Sequence, residues 1–227
     1  MQIGIFGTGI VGQTLAAALA GKGHEVMIGT RDPVATMSRE TSNQFDPTPF
    51  RDWIAANPTV RVGTFAHAAQ FGEALISATS GSAAIPALEA AGEEALGDKV
   101  LLDVANPLDF SHGFPPTLTV CNTDSLGEQI QRAFPRLRVV KTLNTTNTRV
   151  MVDPAALAGG DHTIFVCGND AEARASASRW LQEWFGWKDV IDLGDITAAR
   201  GTEMLLPVWL RLMGVLGGPM FNFKIVR

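Results

Sequence analysis

The run QIGIF at residues 2–6 leads straight into Gly7-Thr8-Gly9-Ile10-Val11-Gly12. An apolar run before glycines spaced G-x-G-x-x-G, followed by helical periodicity, is the opening of a βαβ unit. Each glycine then has a task. Gly7 permits a tight turn, Gly9 lets backbone approach a pyrophosphate, and Gly12 lets helix and strand pack closely. Leu15, Ala16, Leu19 and Ala20 recur at helical spacing, and Gly23 stands where that helix should stop. The helix N-terminus would supply free N–H groups and partial positive charge to phosphates, with Thr8, Ile10 and Val11 in the same loop.

The second strand, Val26 to Ile28, ends at Gly29-Thr30-Arg31. An acid at such a strand end accepts from the ribose hydroxyls and selects NAD. Thr30 is neutral, and Arg31 offers a planar cationic fork suited to phosphate. The strand end therefore reads as selecting NADP(H), with Arg31 as a plain surface arginine the alternative. Asp32, counted rigidly from Gly12, falls at the NAD-type spacing; the strand-end alignment is given more weight because loop lengths vary.

Further along, apolar runs at 60–63, 74–78, 99–103 and 138–142 alternate with helical stretches at about 65–70, 83–94 and 125–133. The segment 32–58 reads as loop-rich, with Pro33, Pro47, Pro49 and Pro58 around a short helix near 50–56. Such alternation predicts a doubly wound, Rossmann-type α/β fold with a mostly parallel sheet. We read residues 1–145 as the dinucleotide-binding unit. Residues 146–227 read as an α/β extension, with strands near 162–166 and 189–193, a helix at 170–184 and a helical tail from about 196. This extension would complete an acceptor site or a dimer interface.

Composition narrows the function. The 227 residues are 46% hydrophobic and 18% charged, with a net charge of −5 and no basic block, which argues against nucleic acid. Met1 leads into a strand without a charged leader, and the apolar stretch 204–221 is broken by Arg211, glycines and prolines. The expectation is a soluble cytoplasmic protein with no membrane partner. Cys121 and Cys167 lack metal-type spacing and read as small buried hydrophobes; His24, His67, His112 and His162 show no ligand pattern, so no metal is expected.

Ligands of open α/β sheets lie at the carboxyl ends of the strands. Those ends carry Thr79 and Ser80, Asn106 and Pro107, and Lys141, Thr142 and Asn144. Lys141 could polarise a carbonyl or donate a proton, or could be a structural ion pair. Asn106 and Asn144 could contact substrate or fix turns. Trp180, Trp184, Trp187, Trp209, Phe221 and Phe223 could stack on a ring, or could be core or dimer interface.

The pieces "IGIFGTGIVGQTLA", "GHEVMIGTRDP", "LLDVANPL", "VVKTLNT" and "ARGTEMLLPVWLRLMG" together resemble the NADP-dependent reductases of coenzyme F420. They are also similar to the N-terminal domain of the STEAP metalloreductases. The resemblance implies hydride transfer between NADPH and a flat ring, either F420 or a flavin such as FMN or FAD, in a homodimer. Carried over by position, Thr8, Thr30 and Arg31 match the family's NADP phosphate contacts. Two positions depart from the pattern. Ala35 stands where the family often has a second basic residue, which Arg39 could replace, and Ala78-Thr79-Ser80-Gly81 stands in place of a proline-containing turn. Alternatives from other classes are an NADPH-binding sensor without turnover and a reductase of a small carbonyl or imine with Lys141 as the acid.

Overall fold

The computed structural model describes residues 1–40 and 48–227. Pro47 therefore lies outside the described residues. Ten strands are present among the described residues: β1 (Gln2–Phe6), β2 (Glu25–Thr30), β3 (Val60–Thr64), β4 (Ala74–Ser77), β5 (Val100–Asp103), β6 (Leu108–Asp109), β7 (Thr117–Leu118), β8 (Arg138–Thr142), β9 (Thr163–Cys167) and β10 (Asp189–Asp192). Eight of them form one sheet in the order β10-β9-β8-β5-β4-β1-β2-β3. All neighbours pair in parallel except β8 and β9, which are antiparallel. The fold is Rossmann-type α/β, and residues beyond 145 extend the same sheet through β9 and β10. Strands β6 and β7 form a separate antiparallel ribbon that no sequence pattern announced.

The sheet is buried on both faces, as parallel sheets must be. Ile3 and Ile5 of β1 face one apolar layer with Ile76, Leu102 and Val140, while Phe6 faces the other with Leu75, Leu101 and Val139. Gly4 has no room for a side chain: a Cβ there would lie 2.2 Å from the Ala68 carbonyl oxygen. Helix Phe65–Phe71 thus packs directly on β1.

Two helical expectations change. The loop-rich stretch contains a helix at Pro33–Ser38, begun by Asp32 as N-cap and Pro33 in its first turn. A proline at the first helical position starts a helix rather than breaking one, so Pro33 does not mark loop as the other prolines of this stretch do. The helix expected over 83–94 runs from Gly81 to Ala91 and ends at Gly92, whose φ is 85°. No helix among the described residues is long and apolar enough to cross a membrane.

The tail motif is a fastening. Arg200 donates through Nε and Nη2 to the Glu128 carboxylate, with the Nε contact at 2.8 Å. Glu203, buried, accepts from the N–H groups of Leu126 and Gly127 at 2.9 and 3.1 Å, at the start of helix Leu126–Ala133. A carboxylate at a helix N-terminus takes up orphan donors and meets the positive end of the dipole. The fastening holds helix Ala199–Met204, which leads directly into helix Leu206–Val215.

Of the two free cysteines, Cys167 is buried as expected, but Cys121 is exposed. The loop after β7 leaves it at the surface. Burial pushes the Cys167 thiol up to about 12. Iodoacetamide on the native protein should therefore modify Cys121 and spare Cys167, read by peptide mass spectrometry.

Candidate active site

Strand order reverses around β1, and the crevice opens there at the carboxyl ends of β1, β4 and β5. It has two lobes, of about 490 and 710 Å³, which share Gly9, Ala78, Thr79 and Ser80.

The smaller lobe is built on the glycine-rich turn after β1. Gly7 sits at φ +123°, and a Cβ on it would lie 2.4 Å from the Ala78 carbonyl oxygen. A Cβ on Gly12 would lie 2.1 Å from the Gly7 carbonyl oxygen, so this glycine serves helix packing. Gly9 differs: a Cβ there would meet nothing within 4 Å. It caps helix Ile10–Gly21 without a side-chain bond, facing open groove with the helix N–H groups beside it. This glycine cradle suits a pyrophosphate.

Thr30, Arg31 and Arg39 line the same lobe. The Thr30 and Thr36 hydroxyls are 2.7 Å apart, which fixes helix Pro33–Ser38 against the end of β2. Arg39 donates to the Thr8 hydroxyl at 3.0 Å, so a second guanidinium reaches the lobe from the end of that helix while Ala35 adds none. Asp32 spends Oδ1 on capping, accepting from Ala35 N at 3.0 Å.

The larger lobe lies toward the ends of β4, β5 and β8. Gly81 explains the absence of a proline turn: a Cβ there would lie 2.3 Å from the Asn106 carbonyl oxygen, so the chain after β4 packs on the chain after β5. Asn106 Nδ2 donates to the Asn144 carbonyl at 2.9 Å, and Asn144 Nδ2 returns a bond to Asn106 Oδ1 at 3.0 Å. The two asparagines thereby tie two strand ends together on the cleft wall. Between β8 and Asn144, Leu143 holds φ +59°, a conformation costly for a side chain of its size.

Ile10, Val11, Met151 and Leu206 supply apolar walls. Among the described residues lining this lobe only Asp109 is titratable, and its hydrogen bonds from Ser111 hold it below the usual carboxylate range. Three lining residues carry a buried polar atom without a protein partner: Thr79 Oγ1, Thr146 Oγ1 and Trp209 Nε1. Thr79 and Trp209 were singled out in the sequence, the latter only among the aromatics. Thr146 was missed, since a threonine after a strand gives no signal until its burial is known.

Lys141 is not in the cleft. Its side chain is fully buried, and its ammonium meets Asp103 Oδ2 at 2.8 Å, Glu203 Oε1 at 2.8 Å and the Ala105 carbonyl at 2.6 Å. Those contacts use all three of its donors. Burial pulls the ammonium down, but the Asp103 and Glu203 carboxylates outweigh burial and hold it above its ordinary value. The other candidates, Gly7 to Gly12, Thr30, Arg31, Thr79, Ser80 and Asn106, are brought to one crevice or its floor. Of the tail aromatics, Trp184 and Trp187 are core, and Trp209 alone lines the cleft.

A family model described as NADP oxidoreductase, coenzyme F420-dependent, matches residues 2–107. A structure of a candidate F420-dependent NADP reductase from Arthrobacter sp. FB24 is 58% identical, covers 100% of both chains and superposes with a TM-score of 0.95. The chain is 26% identical over 212 residues to the metalloreductase STEAP3 of Rattus norvegicus; this covers 92% of the chain but spans only 38% of that relative. A reductive aminase from Aspergillus terreus, in complex with NADPH and ethyl levulinate, shares the fold at 15% identity and a TM-score of 0.63, over 95% of this chain and 62% of that one. The glycine cradle, the arginine-lined lobe and these likenesses agree: the chain belongs to the family of coenzyme F420-dependent NADP oxidoreductases and is an NADPH-dependent oxidoreductase.

Proposed function

We propose that the chain passes a hydride between NADPH and a flat ring acceptor, F420 or a flavin such as FMN or FAD, held in the larger lobe. The observation that carries this reading is the continuity of the two lobes across Gly9, Thr79 and Ser80. One ligand can lie with its phosphates on the glycine cradle and its reactive ring beside the apolar walls of the second lobe. NADPH supplies the hydride when bound. The chain's task is then to hold two rings in register and keep bulk water away, which needs no acid or base of its own. A larger lobe whose sole titratable lining group, among the described residues, is Asp109 suits that task. Solvent can deliver the proton that accompanies the hydride.

In this reading Gly9 and the N–H groups after it hold the pyrophosphate, and Arg31 and Arg39 hold the 2′-phosphate, with Thr8 between them. Thr79 and Ser80 orient the ring end, and Asn106 fixes the wall behind it. Lys141 is a positioning residue that supports this wall through the Ala105 carbonyl, not the proton donor of a carbonyl or imine reduction. The exposed apolar side chains of the tail helix, with Val208 51% and Val215 83% exposed, suit contact with a second copy of the chain. A cytoplasmic setting fits the two free cysteines.

Removal of the Arg31 guanidinium tests the cofactor assignment. Arg31→Ala should weaken NADPH by about 1.5–3 kcal/mol, the range for hydrogen bonds to charged groups, and leave NADH nearly unchanged. Titration of both nucleotides decides it, and equal losses would contradict the phosphate role. The function itself is tested by mixing the protein with NADPH and oxidised F420, FMN or FAD in parallel and following both chromophores. Reduction of one of these rings, with NADPH preferred over NADH, is expected. NADPH binding without reduction of any of the three would overturn the reading in favour of a sensor or another substrate.

A further inference from the structure

The two lobes of the crevice differ in charge. The smaller is lined by Arg31 and Arg39 against Asp32. The larger has no lysine, arginine or histidine among its described lining residues, and its sole charge is the Asp109 carboxylate. Asp109 is partly exposed, and its Oδ1 accepts from the Ser111 N–H at 2.8 Å, which keeps the group ionised. His112 and Arg149 flank the lobe in sequence and are not among its lining residues. A phosphate or carboxylate on a ligand is ordinarily met by arginine, lysine or a free helix N-terminus. Helix Thr148–Val152 starts at this lobe, but Asn147 Oδ1 already accepts from the Arg149 and Val150 N–H groups. Helix Gly81–Ala91 starts at Ser80, on the wall common to both lobes.

What the larger lobe does present is apolar surface open to a ligand. Ile10, at the start of helix Ile10–Gly21, is 41% exposed, and Phe110, just past β6, is 53% exposed; both line the lobe. A flat ring placed against them buries apolar area on both partners. The ribbon that carries Asp109 and leads into Phe110 is anchored to the chain after β5. The Leu108 N–H donates to the Asn106 carbonyl and the Thr119 N–H to the Pro107 carbonyl, each at 2.8 Å. Apolar surface and a single negative charge therefore stand side by side on one wall.

We propose that the larger lobe takes the acceptor by its ring alone, and that Asp109 is a specificity-determining residue that disfavours a phosphate or carboxylate on the ring's side chain. The favoured substrate class is a flat heteroaromatic ring with an uncharged tail, rather than the phosphate ester of the same ring. The inference rests on the reading that a ring acceptor occupies this lobe, and it names which form of that ring the lobe takes. Ring and tail contribute separately. The ring gains apolar contact with Ile10 and Phe110, whereas an anionic tail meets no cation and one like charge.

The test is steady-state kinetics at saturating NADPH with two matched pairs of acceptors: riboflavin against FMN, and the uncharged ribityl deazaflavin against F420, which adds an anionic tail to the same ring. Within a pair the ring chemistry is constant, so a difference in KM reports the tail. At low ionic strength, in whichever pair turns over, the uncharged form should have a KM about threefold below its anionic partner. That is the size of a like-charge repulsion across about 6 Å of water. Added salt should close this gap by screening, and Asp109→Asn, which keeps an oxygen for the Ser111 N–H, should close it too. The salt series on the unaltered chain serves alone if Asp109→Asn does not fold. A KM for FMN or F420 equal to or below that of its uncharged partner, or a gap that salt or Asp109→Asn leaves unchanged, would overturn the inference while leaving the proposed function standing. No turnover of any of the four acceptors by the unaltered chain would overturn the underlying reading and this inference with it.

Discussion

Lys141→Met should destabilise the protein by about 3–5 kcal/mol, because it leaves Asp103 and Glu203 as buried carboxylates without their shared cation. Against a total stability of about 5–15 kcal/mol for a typical domain, that loss takes away much of what holds the chain folded. Chemical denaturation of the purified variant gives the number. The same variant separates two roles for this lysine. A buried positioning residue predicts that the molecules still folded bind NADPH and turn over near the normal rate. A catalytic acid predicts loss of kcat at unchanged NADPH affinity. The pH behaviour has a definite sign. The Lys141 ammonium is held above its ordinary value, so its contribution is fully present below the unfolded-state pKa of about 10.4 and is lost as pH rises through the higher folded value. The Lys141 contribution to stability should therefore decline on the alkaline side.

Lys141 also marks where sequence stopped being informative. A lysine at a strand end in an α/β sheet has the right address for catalysis, and no local pattern reveals that Asp103 and Glu203 will close on it from positions 38 and 62 residues away. The sheet itself was legible, since each strand's apolar run and each helix's periodicity are local signals. The cofactor half of the site was legible too, because Gly7, Gly9 and Gly12 encode backbone geometry within six residues. Helix Pro33–Ser38 was obscured by prolines, though its Asp-Pro start is a recognisable cap. The larger lobe was not legible. Trp209 and Phe221 stack only because the tail folds back across the sheet, and the burial of Thr146 Oγ1 and Trp209 Nε1 without partners is a property of the folded chain.

Gly9→Ala should abolish useful NADPH binding while leaving the fold almost untouched. A Cβ at Gly9 meets nothing within 4 Å and its φ of −79° suits alanine, so stability should change by less than about 1 kcal/mol. The methyl group would stand in the open groove where a pyrophosphate must approach the backbone. Displacing the phosphates from two charge-assisted N–H bonds, at about 1.5 kcal/mol each, weakens binding on the order of 100-fold. Gly12→Ala makes the contrast: its Cβ would lie 2.1 Å from the Gly7 carbonyl oxygen, so the turn must break and stability falls together with binding. Thermal melts and NADPH titrations of the two variants, run side by side, check both halves. A Gly9→Ala protein that binds NADPH normally would remove the cradle from the site.

The most direct test of the whole account follows a hydrogen atom. NADPH carrying deuterium at the transferable position of its nicotinamide is incubated with the protein and oxidised F420, whose reduced carbon retains the label, and the product is weighed by mass spectrometry. Deuterium in the reduced acceptor is the expected result, because the two lobes would hold both rings in one cleft sheltered from bulk water. Reduced acceptor that contains only solvent hydrogen at that carbon would contradict direct transfer in this cleft.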